Sequence, residues 1–220
     1  MEKSADSGVN RVQRRKQRTR AALISAAQGF IADGKLNVPV LDITQAADVG
    51  MGSFYNHFDS KEELFAAAVG DALDAHGALL DVLTADVDDP AETFACRFRL
   101  TGRLFRRRPQ ESQILLANGV ALLTSDRGLA PRALRDIEAA VAAGRFTVAD
   151  PQLALAMAGG AIMGLGALLA KDPSRDDGHA ADSVTADVLR LFGMSAADAA
   201  DVCGRSLPDL DAIAPAHPAA

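Results

Sequence analysis

Apolar residues recur along this chain with the 3.6-residue period of helices. Leu23, Ile24, Ala27, Phe30 and Ile31 form the first such stripe, in a helix predicted over 10–34 that Gly34 ends. Pro39 starts the next helix at its first position. Between 42 and 63 the pattern divides into three short helical fragments with two tight breaks, the sequence form of a helix-turn-helix followed by a capped third helix. Ile43, Ala46 and Ala47 share one face of the first fragment, Val49 closes the turn, and Phe54 and Phe58 anchor the second fragment to the same core. Met51, Ser53, Tyr55, Asn56 and His57 are then free to point outward. Ser60 and Glu63 form a capping box. Lys61 therefore sits beside free N–H groups at a positive helix end, an arrangement that suits a phosphate if the lysine is more than an ordinary solvated residue.

The stripe opened at Ser60 continues through Leu64, Ala68, Ala72, His76, Leu79 and Leu83, too long for a small N-terminal domain, so this helix must enter a second one. After the break at Asp88-Asp89-Pro90, a helix over 91–107 turns Phe94, Phe98 and Leu104 or Phe105 inward. Its arginines (Arg97, Arg99, Arg103, Arg106, Arg107 and Arg108) are expected outward. They spread around the helix instead of lining one stripe, which favours a solvated or acid-paired surface over a second nucleic-acid patch. A helix over 110–124 offers Ile114, Leu115 and Leu122 to a core and lodges Asn118 among apolar neighbours, where an interhelical bond is the plainer reading than a ligand contact. A loop over 125–131, a helix over 132–144 and an Ala/Gly-rich helix opened by Asp150-Pro151 follow. Then come a polar loop over 172–179, a helix over 180–192, and a short last helix started by Ser195 and Asp198. Residues 207–220 read as a loose tail. The fold class is all-α, with a basic arm over 1–19, a helix-turn-helix domain over 20–65 and a helical domain over 66–206.

Composition agrees: there is no tryptophan, little aromatic content and much alanine. The net charge of -6 argues against a polyanionic partner until its distribution is seen. Residues 1–20 carry seven Lys/Arg against Glu2 and Asp6, a balance of +5, so the other 200 residues carry -11. A basic arm on an acidic body steers the molecule arm-first towards polyanions. Cys96 and Cys203 are far apart and without companions, which removes a disulfide framework or a zinc site and suits reduced thiols in the cytoplasm. No signal peptide is expected. The uncharged run 153–170 reaches the lower length limit for a membrane span and contains Gly160-x-x-x-Gly164, but ten of its eighteen residues are Ala or Gly and it lacks aromatic and basic flanks. A soluble helix buried on every side is the better reading. No His-x-x-x-His pair, nucleophile elbow, Walker loop or dinucleotide fingerprint occurs, so neither catalytic residues nor a cofactor are expected.

The run Arg20-Ala-Ala-Leu-Ile-Ser-Ala-Ala-Gln-Gly-Phe-Ile-Ala-Asp-Gly, the Phe54-Tyr-x-His-Phe block and the Ser60-Lys-Glu-Glu-Leu helix start occur in order. With them the stretch from about 18 to 66 resembles the N-terminal domain of the TetR family of bacterial transcription regulators. One departure is Asp48, where the family usually has glycine; aspartate tolerates the left-handed turn conformation better than most residues. The resemblance implies a dimer that reads a palindromic operator in double-stranded DNA. Met51, Gly52, Ser53 and Asn56 would face base edges; Thr44, Tyr55, His57 and Lys61, with Arg18 and Arg20 from the arm, would hold phosphates. It also implies a second domain that binds a small molecule and dimerises through its last two long helices. The apolar positions available for a pocket are Phe94, Phe98, Phe105, Ile114 and Leu115, with Asn118 among them, so the effector should be largely apolar. Gly159, Gly160, Met163 and Gly164, with Val184, Val188 and Leu191, are the expected dimer seam. A helical protein-interaction module without DNA binding is the alternative.

No arginine is present in the recognition fragment to grip guanine, so readout should lean on Asn56 with adenine, Met51 against thymine methyls, phosphate contacts and DNA shape. The arm should add sequence-independent affinity. Removing residues 1–19 is expected to flatten the plot of log affinity against log salt by about 0.9 for each phosphate that the arm neutralises; an unchanged slope would make the arm a bystander.

Overall fold

The computed structural model describes residues 3–119 and 125–210, with side chains from Arg11 onward. Ten helices are described: α1 (Lys3–Ala32), α2 (Val40–Ala46), α3 (Met51–Phe54), α4 (Lys61–Leu83), α5 (Pro90–Arg107), α6 (Pro109–Asn118), α7 (Leu129–Ala142), α8 (Pro151–Lys171), α9 (Asp177–Leu191) and α10 (Ala196–Gly204). They group into two compact units, divided within α4 between Ala72 and Leu73.

In the first unit the breaks are made by left-handed residues. Gly34 (φ 72°) ends α1 while its N–H donates to Ile31 O at 2.9 Å and that of Lys35 donates to Phe30 O at 2.8 Å, so two orphan carbonyls are satisfied. Asp48 (φ 51°) does the same after α2, with Val49 N–H donating to Thr44 O at 2.9 Å. It is the one non-glycine residue with positive φ among the described residues, and the turn closes in spite of the missing glycine. At the start of α4 the Ser60 hydroxyl accepts from Glu63 N–H at 3.1 Å, and the Glu63 carboxylate reaches back to Asp59 N–H at 2.7 Å. Leu23, Ala27, Ile43, Phe54, Phe58 and Leu64 form the core this arrangement closes. Gln28 is also buried and donates to Ala68 O at 3.1 Å.

In the second unit α5 lies centrally, against α6, α7, α8, α9 and α10. Phe94 meets Phe98, Phe146 and Phe192 with ring centroids 5.5–5.9 Å apart, geometry worth more than the buried area alone. Helices α5 and α9 approach most closely at Gly102, where an added Cβ would lie 2.6 Å from Ala181 Cβ. Helix α8 has two faces. Ala154, Leu155, Ala158, Ile162, Leu165 and Leu169 pack inward, whereas Leu153, Met157, Gly160, Gly164 and Leu168 form an uncovered apolar stripe. Its length and composition would allow a membrane span, but it packs against α5, α6, α7 and α9 as a core helix.

Several expectations change. The arm is not separate: helix-forming Arg, Lys and Gln continue α1 back to Lys3. Pro39 caps α2 and is not its first residue, and Ala46 is exposed. Helix α7 starts at Leu129 with Pro131 in its first turn, where a proline is tolerated, and α9 starts at Asp177, capped by Asp176. Helix α8 is not buried on every side. The loose tail is partly core, because Leu207 and Leu210 pack against Leu79, Leu80, Leu100 and Leu104. The Arg-rich helix is not a surface throughout: Arg99 is buried and bonded to Asp182 at 2.7 Å. Leu122 and residues 211–220 lie outside the described residues.

Gly102→Ala should lower the unfolding free energy by about 1–3 kcal/mol through overpacking, read as a drop in urea midpoint without change in slope.

Candidate nucleic-acid interface and binding cavity

Helix α3 is held by one side only. Phe54 is fully buried and Phe58 nearly so, with ring centroids 6.1 Å apart, and they fix the fragment to the core. Met51, Gly52, Tyr55 and Asn56 are exposed, while Ser53 and His57 are half-buried. The helix start is stripped of bulk, because an added Cβ at Gly50 or Gly52 would meet nothing within 4 Å. Backbone there can approach a base-pair edge closely.

Around this fragment the charge is positive. Arg18 is exposed, and Arg20 lies with its guanidinium carbon 5.0 Å from the Phe58 ring centroid, a cation–π contact that orients it without burying it. Burial, with Lys16 and Arg20 nearby, holds the His57 imidazole below its ordinary pKa, so it acts at neutral pH as an uncharged hydrogen-bonding group. Lys61 Nζ donates to Asn37 Oδ1 at 3.3 Å, which positions the ammonium at the start of α4. Thr44 is different: it is 1 % exposed and its hydroxyl donates to Leu41 O at 2.9 Å. Its side chain is committed inside the domain, and the phosphate contact expected of it has no group to make it.

The second unit encloses a cavity of about 100 Å³ between α4, α5, α6, α7 and α8. Phe94, Phe98 and Leu115 line it, as does Gly159. Phe105, Ile114 and Asn118 do not: Phe105 packs over Gly166, Ile114 is buried elsewhere, and Asn118 donates to Ile114 O of its own helix at 2.7 Å. Of the seam residues, Gly160, Gly164 and Leu191 are uncovered, Met163 and Val184 are half-covered, and Gly159 and Val188 face the interior.

What sequence reasoning missed is the polar wall of this cavity. Arg97 Nη1 donates to Asp136 Oδ2 at 2.9 Å and Nε to Thr84 Oγ1 at 2.9 Å, while Nη2 lies 2.8 Å from Asp81 Oδ1. Arg132 donates to Asp81 Oδ2 at 2.8 Å and to Gly128 O at 2.7 Å. Burial pushes the Asp136 carboxyl up, against the pull of Arg97 and Arg135. Thr101 gives its only proton to Arg97 O at 2.9 Å, so His76 Nε2, 3.2 Å from the same hydroxyl oxygen, is the donor to it. The Arg132-x-x-Arg135-Asp136 cluster in a short amphipathic helix was the available signal. Among the described residues no group of three or more His, Cys, Asp or Glu could hold a metal.

A helix-turn-helix with an uncovered second helix, followed by a cavity-bearing helical domain, defines a class of ligand-binding transcription regulators. The bacterial regulatory protein TetR family model matches residues 23–68, and the tetracyclin repressor-like C-terminal domain model matches 89–205. The chain belongs to the TetR family. The HTH-type transcriptional regulator TtgR of Pseudomonas putida is 30% identical over 98 residues, 44% of this chain and 46% of TtgR, so the match spans about half of that relative. Crystal structures of RolR are similar over most of the chain. The form without ligand is 32% identical, with a TM-score of 0.68, and covers 86% of this chain and 98% of RolR. The complex with its ligand resorcinol is 31% identical, with a TM-score of 0.62 and coverage of 90% and 99%. The protein is thus a TetR-family transcriptional regulator with an N-terminal DNA-binding domain.

His76 is 2 % exposed, and burial with Arg108 nearby lowers its pKa to about 4. The unfolded chain takes up this proton near pH 6.5 and the folded chain only near 4, so the His76 contribution is complete at neutral pH and is lost as pH falls through that window. The stability gap between the native chain and His76→Gln should narrow by roughly 2 kcal/mol between pH 7 and pH 4.5, measured by urea unfolding at both pH values.

Proposed function

We propose that this regulator is a repressor that binds a palindromic operator as a homodimer in the bacterial cytoplasm and is released by a small, largely apolar molecule. The observation that carries the reading is the one-sided anchoring of α3. Its phenylalanines are spent on the core, and its glycines, Met51 and Asn56 are left without internal partners that would hide them. In this reading Met51, Gly52, Ser53 and Asn56 meet base edges, and Tyr55, His57, Lys61, Arg18 and Arg20 hold the backbone. Thr44 serves the domain's own hydrogen bonding instead.

Dimerisation is supported by the uncovered stripe on α8 from Leu153 to Leu168 and by exposed Leu191 at the end of α9. Apolar surface of this extent on a water-soluble helix calls for a partner, and Gly160 and Gly164 leave room for a second backbone to come close. The effector site is supported by the cavity beside Phe94, Phe98 and Leu115, and the likeness to RolR bound to resorcinol suits an effector of one-ring size. Occupancy would stabilise a conformation in which the two recognition helices no longer fit successive grooves, and DNA affinity would fall by that coupling energy.

The test is electrophoretic retardation with the DNA flanking the gene, repeated at several salt concentrations. A retarded band that weakens steeply with salt is expected, and Asn56→Ala should lose about 1–3 kcal/mol of discrimination at one adenine position in each half-site. A dimeric protein that retards no such fragment would favour the interaction-module alternative. Unchanged base preference in Asn56→Ala would remove that residue from the readout.

A further inference from the structure

The cavity of the second unit is apolar on every side but one, and the hydrogen-bond account of that side indicates what is still wanted there. Its donors are largely committed. Each of the three guanidinium nitrogens of Arg97 already faces Thr84, Asp136 or Asp81, and Arg132 is held by Asp81 and Gly128 O. Thr101 has given its proton to Arg97 O. Acceptor capacity is left over: Asp136 receives Arg97 on Oδ2 and Arg135 Nη2, 3.3 Å away, on Oδ1, whereas a carboxylate offers about four lone-pair sites. Asp136 is 6 % exposed and lines the cavity, so water reaches it poorly and an occupant could satisfy it.

Charge narrows the class. An anionic occupant would meet Asp136 with no uncommitted arginine to pair with, and burying an unpaired carboxylate is costly. A cationic one would lie against the guanidinium groups of Arg97 and Arg132. A neutral donor escapes both penalties. Size narrows it again, since about 100 Å³ is below the roughly 150 Å³ of an apolar cavity known to admit benzene, so a single ring is the most this space takes without adjustment.

We infer that the cavity binds an uncharged, single-ring phenol, with the ring among Phe94, Phe98, Leu115 and Ile162 and its hydroxyl donating to Asp136. The inference rests on the effector reading above and adds to it the ligand class and the residue that selects it. Asp136 is the specificity-determining acceptor, Arg97 and Arg135 position it, and the neighbouring apolar walls supply affinity without discrimination.

The test is calorimetric titration of the purified full chain at pH 7 with phenol, toluene, benzoate and benzylammonium, without DNA. Phenol should bind at least about tenfold more tightly than each of the others, the factor expected when one buried hydrogen bond distinguishes ligands of equal shape. In Asp136→Asn the phenol-to-toluene ratio should collapse towards one, with thermal unfolding recorded to show that the variant is folded. Equal affinity for toluene and phenol, tighter binding of benzoate or benzylammonium, or no binding of phenol would each overturn the inference, whether or not the variant folds. The two readings fail separately: phenol binding by a protein that retards no DNA sinks the repressor reading alone, and retardation without phenol binding sinks this one alone.

Discussion

The second unit depends on burying arginines safely. Helix α5 is central, and its charged positions cannot all reach solvent, so acids on other helices have to come to them. Arg97 is met by Asp81 of α4 and Asp136 of α7; Arg99 and Arg103 are both met by Asp182 of α9. Removing one partner of such a pair strands a buried charge at a cost of about 3–5 kcal/mol, whereas the intact pair adds little net stability. The network therefore acts mainly on specificity of packing: with the acids where they are, α5 has one rotation that pairs its charges, and α4, α7 and α9 are registered against it. Asp182 illustrates the balance. Its carboxyl is held below the usual range because the two arginines outweigh the burial that opposes them.

The same network forms one wall of the cavity, so the unit's structural charges and its binding chemistry are continuous. Arg97 and Asp136 hold the fold together and also face the enclosed space. Arg132 adds a second constraint. It is packed so closely on α4 that a Cβ at Gly77 would lie 2.7 Å from its guanidinium, and at the neighbouring turn a Cβ at Gly128 would lie 2.5 Å from Leu73 Cβ. Gly128 also has φ 77°, which excludes most other residues. Anything that enters the cavity presses on a seam with no slack, and tight seams respond to ligands by switching between packings instead of deforming smoothly.

Helix α8 divides its glycines by direction. Gly159 and Gly166 face inward, the first lining the cavity and the second lying under Phe105, while Gly160 and Gly164 open outward. An inner face shaped by the chain's own core and an outer face smooth enough for another backbone sit on the same helix, one residue apart at Gly159 and Gly160. A seven-residue seam read from composition alone could not separate these two roles.

Local physics made much of the protein legible from its residues: the helical period, the Ser60 cap, the left-handed breaks at Gly34 and Asp48, and the division of α3 into core phenylalanines and an outward face. Each of these is settled within a few residues, by side-chain size, backbone sterics and hydrogen bonds to near neighbours. The sites that were misjudged depend on partners far away in the chain. Thr44 was spent on a carbonyl three residues back only because its helix face turned inward. Arg97 joined a wall because Asp81 and Asp136 arrived from helices on either side, and Leu210 became core because Leu79, Leu80 and Leu100 left a place for it. Periodicity says which face of a helix is apolar, but what stands opposite that face is decided by packing between helices. That is why the recognition fragment could be read from the chain and the cavity's polar wall could only be seen once it had folded.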